Sequence, residues 1–156
     1  MVTFGRSVAW IALLSATLVT AGCSDPSGVS APAPASVTGC YRLALGTWSA
    51  PRESPDPPKT IALLDSTGTY ILERGKSLAR PYPLDTPMPF DMAWWSRLAP
   101  EHLEIVFTDG GYIGVRLHLV WGWGDSTWRG TAEAFTDVSP SIQARTTSTL
   151  APRECS

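Results

Sequence analysis

The stretch Leu103–Phe135, LEIVFTDGGYIGVRLHLVWGWGDSTWRGTAEAF, decides the fold because apolar residues recur in it with a period of two. Alternate residues of a β-strand lie on opposite faces, so the pattern predicts three consecutive strands. Asp109-Gly110-Gly111 separates the first two, and Asp-Gly is typical of a tight hairpin turn. The stretch therefore predicts a run of antiparallel hairpins.

The two faces of the middle strand, Tyr112–Trp121, differ in chemistry. One face is uniformly apolar: Ile113, Val115, Leu117, Leu119 and Trp121. The other carries Tyr112, Arg116 and His118, and such a face is more often solvated than turned into a cavity that grips an anionic ligand. One face of the third strand carries the small residues Gly130, Ala132 and Ala134, which predicts close approach of another backbone or a bulky neighbour, Trp121 or Trp128.

Weaker patterns on both sides of this stretch raise the strand count to about eight, in meander order. The predicted strands are Thr38–Leu45, Thr60–Leu64, Thr69–Leu72, Phe90–Leu98, Leu103–Thr108, Tyr112–Trp121, Thr127–Thr136 and Ile142–Leu150. Phe90–Leu98 also fits a short helix capped by Asp91, but we favour the strand. Proline-rich residues 47–58 and 80–89 are predicted to be extended loops.

The N-terminal segment is typical of exported proteins. Val8–Val19 is apolar but too short to span a bilayer comfortably, and it ends in Thr20-Ala21-Gly22-Cys23. This resembles the lipobox of bacterial lipoproteins, which usually have Leu where this chain has Thr20. The resemblance implies a signal peptide over 1–22 and lipidation of Cys23. The alternative is an ordinary secretory peptide with a cysteine there by chance.

The resemblance also implies a location. Acyl chains on Cys23 would anchor the protein to a membrane of the bacterial cell envelope. By similarity to proteobacterial lipoproteins, Ser24 favours the outer membrane. Residues 23–37 are rich in Pro, Ala and Ser and are predicted to be a flexible tether. Residues 38–156 then form a single domain.

Two cysteines remain once Cys23 is lipidated. In an oxidising compartment, Cys40 and Cys155 are expected to form a disulfide. Two unrelated thiols, or a bridge between chains, are the alternatives. A link between the first strand and the end of the chain suits a sheet that closes on itself, because those strands become neighbours in an up-and-down barrel.

The strand pattern resembles a lipocalin or related barrel over residues 38–150. Lipocalins carry Gly-x-Trp on the first strand, where this chain has Gly39-Cys40-Tyr41. They also place an arginine of the last strand across that aromatic ring, a role for which Arg145 is the candidate. The resemblance implies an all-β, closed eight-stranded barrel. An open β-sandwich gives the same pattern.

No catalytic motif is present in the sequence. Gly-x-Ser-x-Gly, P-loop and His-Glu-x-x-His signatures are all missing from the 156 residues. His102 and Glu104 share a strand face, but two ligands without a third are more simply a solvated strand end than a metal site. A net charge of −2 without a basic patch argues against nucleic-acid binding. No enzyme activity, metal or cofactor is expected.

Two functions remain. We expect a non-enzymatic interaction or structural module, a monomer that meets an envelope protein. The alternative is a carrier or sensor of a small apolar ligand, with a dry cavity lined by Leu43, Ile105, Val115 and Leu117. The candidate contact residues for a ligand or partner are Trp48, Tyr112, Arg116, His118 and Trp123.

Overall fold

The chain folds into a closed barrel of eight antiparallel strands. The computed structural model describes residues 32–66, 75–122, 124–136 and 141–156. Each strand pairs with the next along the chain, and β8 pairs with β1. The strands are β1 Gly39–Leu45, β2 Thr60–Leu63, β3 Ser77–Pro81, β4 Met92–Ala99, β5 His102–Asp109, β6 Ile113–Gly122, β7 Thr127–Thr136 and β8 Ser141–Arg153. The all-β meander is confirmed, and closure excludes the open sandwich.

Closure joins the first strand to the last. β1 and β8 pair in a register that sets Leu43 opposite Leu150. The predicted disulfide is present: Cys40 and Cys155 are bonded, with their Cα atoms 5.4 Å apart and 115 positions between them in sequence. The bond therefore ties the C-terminal tail to β1 beside the seam that closes the barrel.

The barrel has two different ends. One, here called the termini end, holds the start of β1, the end of β8 and the short turn at Pro100 and Glu101. The opposite end, here called the loop end, holds the connections 46–59 and 82–91 and the turn at Gly110 and Gly111. Both of these glycines have positive φ, 54° and 82°, as the Asp-Gly turn requires.

The interior is filled by side chains on the predicted faces. Ile105, Val115 and Leu117 are completely buried, as is Trp128 on β7. The rings of Trp121 and Trp128 meet edge to face with their centroids 5.1 Å apart. Ala132 and Ala134 lie inward on the same strand as Trp128, so the small residues and the bulky indole share the face that the sequence indicated.

The third strand differs from the prediction. Ser77–Pro81 pairs with β2, whereas residues 80–89 were predicted to be loop. Pro81 is buried at the end of the strand, opposite Ile61. The predicted strand Thr69–Leu72 lies outside the described residues. The ambiguous segment Phe90–Leu98 is a strand, Met92–Ala99, and not a helix.

A bulge changes the start of β8. The pairing register shifts between Ala134 and Phe135, so that Ala134 faces Ala144 but Phe135 faces Ile142. An extra residue in one strand reverses the alternation of its side chains. Ile142 is consequently 39% exposed, although a regular alternation over the predicted strand Ile142–Leu150 would place it on the same face as the buried Leu150.

The arginine expected across Tyr41 is not Arg145. Arg145 lies on the outer face, where its Nε donates to Glu133 over 2.9 Å. Tyr41 instead lies near Arg97 of β4, close enough for the guanidinium to influence its pKa. Arg97 also donates through Nη1 to the carbonyl of Ala35, 2.9 Å away. The termini end is thus organised by an arginine from a different strand.

The residues just before β1 contact the termini end. Val37 is buried, Ala33 packs against the core, and the Tyr41 hydroxyl donates to the Val37 carbonyl over 2.8 Å. The extent of the tether assigned to 23–37 stays a prediction, and the lipidated Cys23 lies outside the described residues. Among the residues described, no helix has the length and apolarity needed to cross a bilayer.

We expect Gly130→Ala to destabilise the barrel by about 3 kcal/mol. An added Cβ at Gly130 would lie 1.8 Å from the backbone oxygen of His118, so β6 and β7 would have to separate locally. Urea unfolding measures the loss. Gly124→Ala is the matched control because nothing lies within 4 Å of a Cβ there. Equal effects of the two substitutions would contradict this account.

The stability of the barrel should also fall in alkali through Tyr41. Burial raises the pKa of the Tyr41 phenol, and Arg97 only partly opposes the rise. The folded state therefore keeps a proton that the unfolded state releases above about pH 10, and stability is lost as the pH rises beyond that value. Urea midpoints from about pH 8 to 11 should show this slope. Tyr41→Phe should flatten it, and Tyr112→Phe, at an exposed position, should not.

Candidate binding site at the loop end

The predicted contact residues do not form one site. Trp48 and Tyr112 lie at the loop end, in different connections. Arg116 and His118 lie on the outer face of β6, and both are partly exposed, at 43% and 42% of their side chains. Trp123 lies outside the described residues. The five residues therefore separate into a loop-end pair, a sheet-face pair and one unplaced tryptophan.

The outer-face pair belongs to a charged ladder across β5 to β8. His118 lies 3.7 Å from Glu104 through Nδ1 and 3.6 Å from Glu133 through Nε2. Arg116 lies 3.8 Å from the same Glu104, and Arg145 bonds the same Glu133. Alternating charges on an open sheet face stabilise cross-strand pairing modestly. Both basic side chains are more than 40% exposed and face carboxylates, so this geometry fits the solvated face better than an anion site.

No metal site accompanies these residues. Across residues 32–66, 75–122, 124–136 and 141–156, no group of three or more His, Cys, Asp or Glu side chains is placed to hold an ion. His102 lies at the exposed start of β5, where the carboxylate of Glu101 is 3.9 Å away. Glu104, which shares a strand face with His102 in the sequence, instead lies beside Arg116 and His118.

Arg52 organises the connection 46–59, here called the first loop. Its side chain is only 11% exposed. The guanidinium stacks on the Trp48 ring, 4.4 Å from the centroid, and donates to the carbonyl of Ser54, to that of Pro55 at 2.8 Å and to the Asp56 carboxylate. Five donors in one planar group allow a single arginine to satisfy several acceptors at once. The loop therefore folds around its own side chain.

The first loop is also attached to the barrel wall. Ser49 and Arg145 exchange two hydrogen bonds of 2.9 Å, one from each backbone amide. The Glu53 amide donates to the Gln143 side chain over 3.2 Å. Both partners lie on β8 next to the bulge. The loop is thus held at its centre by Arg52 and along its edge by β8, which gives it a defined shape.

We expect Arg52→Ala to lower the free energy of unfolding by about 2 kcal/mol, because hydrogen bonds to a charged group that is mostly buried are lost together. Hydrogen exchange in residues 46–59 should accelerate while the strands stay protected. Arg42→Ala, at an exposed position of β1, is the control and should change neither quantity. Unchanged exchange in the first loop of Arg52→Ala would contradict the role assigned to Arg52.

A cavity of about 400 Å³ lies between the first loop and the end of β1. Its apolar lining comes from Leu43, Leu45, Trp48 and Pro57, and its charged lining from Asp56 and Lys59. Ligand pockets in proteins commonly occupy roughly 300 to 1,000 Å³ and combine apolar walls with a few polar groups. Size and composition therefore both suit a small molecule.

This cavity is not the interior cavity that the carrier hypothesis predicted. Only Leu43 of the predicted lining residues borders it. Ile105, Val115 and Leu117 are completely buried among other core side chains. The opening lies at the wall and mouth of the barrel, where β1 extends past β2.

A smaller cavity lies at the same end. It measures about 150 Å³, lies between β3 and β4, and is lined in part by Met88. The two strands pair only at Ser77 with Trp95 and Leu78 with Trp94, so they diverge toward the loop end. Nearby, the Asp91 carboxylate accepts from the Gly110 amide over 3.3 Å, and the Asp109 carboxylate accepts from the Asp91 amide over 2.8 Å. These bonds join two loop-end connections.

Sequence reasoning found Trp48 but not the residues that surround it. Arg52, Asp56 and Lys59 were visible only as charges in a proline-rich segment. The one available signal was the spacing Trp48, Arg52, Asp56, in which an arginine has an aromatic and an acid at equal distances along the chain. That spacing becomes meaningful only when the loop is known to fold back on itself.

The comparisons with known proteins add no relative to this description. No protein-family model, curated protein or solved structure matches the chain.

Proposed function

We propose that the protein is a lipid-anchored lipoprotein of the bacterial cell envelope that acts as a non-enzymatic interaction module through its loop end. The difference between the two ends of the barrel supports this proposal. The chain enters at the termini end, beside the disulfide, and the connections 46–59 and 82–91, which the structure describes in full, lie at the other end. A barrel tethered by Cys23 would turn those loops away from the membrane.

Two features support this orientation. The chain from Cys23 to Ala33, which packs against the barrel core, reaches at most about 35 Å when fully extended, so the anchor would keep the termini end within that distance of the membrane. Exposed apolar side chains at the termini end, Leu98 at 64% and Val120 at 42%, suit a position near the membrane interface. At the loop end, Leu84 and Tyr112 are exposed to 59% and 61% and are available to a protein partner.

Fractionation and site-specific crosslinking test the proposal together. Cys23→Ala should move the protein from the membrane fraction to the soluble fraction. A photo-crosslinking amino acid at Leu84 should give a protein adduct in intact cells, while the same group at Leu98 should give lipid adducts or none. A Cys23→Ala variant that stays membrane-bound refutes the anchor. Identical protein adducts from Leu84 and Leu98 would refute the proposed orientation, in which the loop end faces away from the membrane.

A second candidate function is the binding of a small ligand. The 400 Å³ cavity beside the first loop favours it. Because the cavity opens at the loop end, a bound molecule would lie on the side turned away from the anchor. Native mass spectrometry of the gently purified full chain should then show a mass above that of the polypeptide and its lipid. A mass equal to that of the polypeptide and its lipid would leave the interaction module as the remaining candidate function.

A further inference from the structure

The cavity beside the first loop presents backbone as well as side chains. β1 pairs with β2 only as far as Arg42, and the Leu43 amide bonds the Lys59 carbonyl at 2.8 Å. On the other edge, the Gly46 amide bonds Thr147 of β8 at 2.9 Å. Alternate residues of a strand direct their backbone groups to the same edge. The N–H and C=O of Leu45 therefore point to the edge where β2 has ended, which is where the cavity opens.

The charges around the cavity do not cancel completely. Asp56 is paired with Arg52, so its negative charge is neutralised within the first loop. Lys59 is exposed and lines the cavity, and within the described residues no carboxylate forms an ion pair with it. The uncompensated charge beside the cavity is therefore a single ammonium group.

The remaining walls are apolar and held in place. Leu43 is buried in the barrel core, and Leu45 and Trp48 pack against that core. Trp48 is also covered by Arg52, whose bonds fix the first loop. A site whose walls are already ordered loses less conformational freedom when it binds. The cavity thus combines ordered apolar walls, one backbone donor and one cation.

We propose that this cavity binds a small amphiphilic anion. Its apolar body lies against Leu43, Leu45, Trp48 and Pro57, and its carboxylate or similar group lies at the ammonium group of Lys59 within reach of the Leu45 amide. This inference deepens the second candidate function, and it names the ligand by charge and shape. A carboxylate is favoured over a neutral analogue because only the anion pairs with Lys59.

Isothermal titration calorimetry with 2-naphthoate tests the site. The full chain is held in lipid nanodiscs, with empty nanodiscs as the blank, and 2-naphthylmethanol serves as the neutral analogue. We expect one 2-naphthoate per chain and weaker binding of the alcohol. Lys59→Gln should weaken 2-naphthoate binding about fivefold, as expected for an ion pair at an exposed lysine. Lys76→Gln, which changes the only other lysine of the chain, should leave it unchanged.

A second variant keeps the test independent of charge. Ala44→Trp adds bulk from an exposed strand position that lines the cavity, and it should abolish binding while thermal unfolding stays that of the native barrel. The proposal is overturned if the native chain does not bind 2-naphthoate. It is also overturned if Lys59→Gln and Ala44→Trp bind it as tightly as the native chain does. Entry into nanodiscs reports the anchor separately. A chain that does not enter the nanodiscs is titrated in buffer instead. Failure of the anchor is then seen as failure to enter the nanodiscs, and failure of the site is seen as absence of 2-naphthoate binding.

Discussion

Replacing Cys40 and Cys155 together with alanine is expected to lower the free energy of unfolding by about 4 to 5 kcal/mol. The two cysteines are 115 positions apart, so their bond closes a loop that covers nearly the whole barrel. A link across so long a loop removes many conformations from the unfolded chain. Guanidinium or urea unfolding of the two proteins under oxidising conditions measures the difference.

Reduction provides the control for this pair. A reductant should destabilise the native protein by the same amount and leave the double alanine variant unaffected. The reduced protein should still show the β-sheet signal in far-ultraviolet circular dichroism, because β1 and β8 remain paired through their backbones. If the reductant does not change the unfolding midpoint of the native protein, the disulfide contributes little to its stability.

Trp128→Ala is expected to cost about 4 kcal/mol, the second large effect. Trp128 is completely buried on the inner face of β7, where it meets Trp121 edge to face. Truncation leaves a hole surrounded by the rigid wall of a closed barrel, and a barrel cannot collapse to fill it as a loop can. Urea unfolding measures the loss, and near-ultraviolet circular dichroism should lose the signal of the coupled indoles.

Trp94→Ala is the matched control for this truncation. Trp94 lies on β4 and is half-buried, with the Lys76 ammonium 4.0 Å from its ring centroid. Removing it should cost about 1 kcal/mol or less, because a stacked cation at a half-exposed site contributes little. Comparable losses from the two tryptophans would contradict the assignment of Trp128 to the centre of the core.

The strands that could be predicted are those whose two faces meet different surroundings. Between Leu103 and Phe135, the inner face is core and the outer face is solvent, so the alternation survives in the sequence. Ser77–Pro81 shows the opposite case. It pairs with β2 over three residues and with β4 over two, and a strand that short carries too few alternations to recognise. Its proline falls at the strand end, where a missing N–H is tolerated.

The candidate site was less predictable than the fold, for a physical reason. Arg116 and His118 share a strand face, and the alternation that placed them outside was correct. The first loop has no period, because its shape depends on which acceptors a single guanidinium can reach. The cavity arises from the different lengths of β1 and β2, and relative strand length depends on pairing rather than on either strand's own composition.

The order of the strands has a consequence for how the chain is made. Seven of the eight strand pairs in the described part of the chain join consecutive strands, and only β1 with β8 joins distant ones. Local hairpins form readily, whereas a pairing across a long span of chain is slow. A chain emerging from its N-terminus therefore exposes the open edges of β1 and β7 until the last strand, 13 residues long, has been added. Open edges pair with other chains, so β8 keeps neighbouring molecules apart as well as holding its own barrel together.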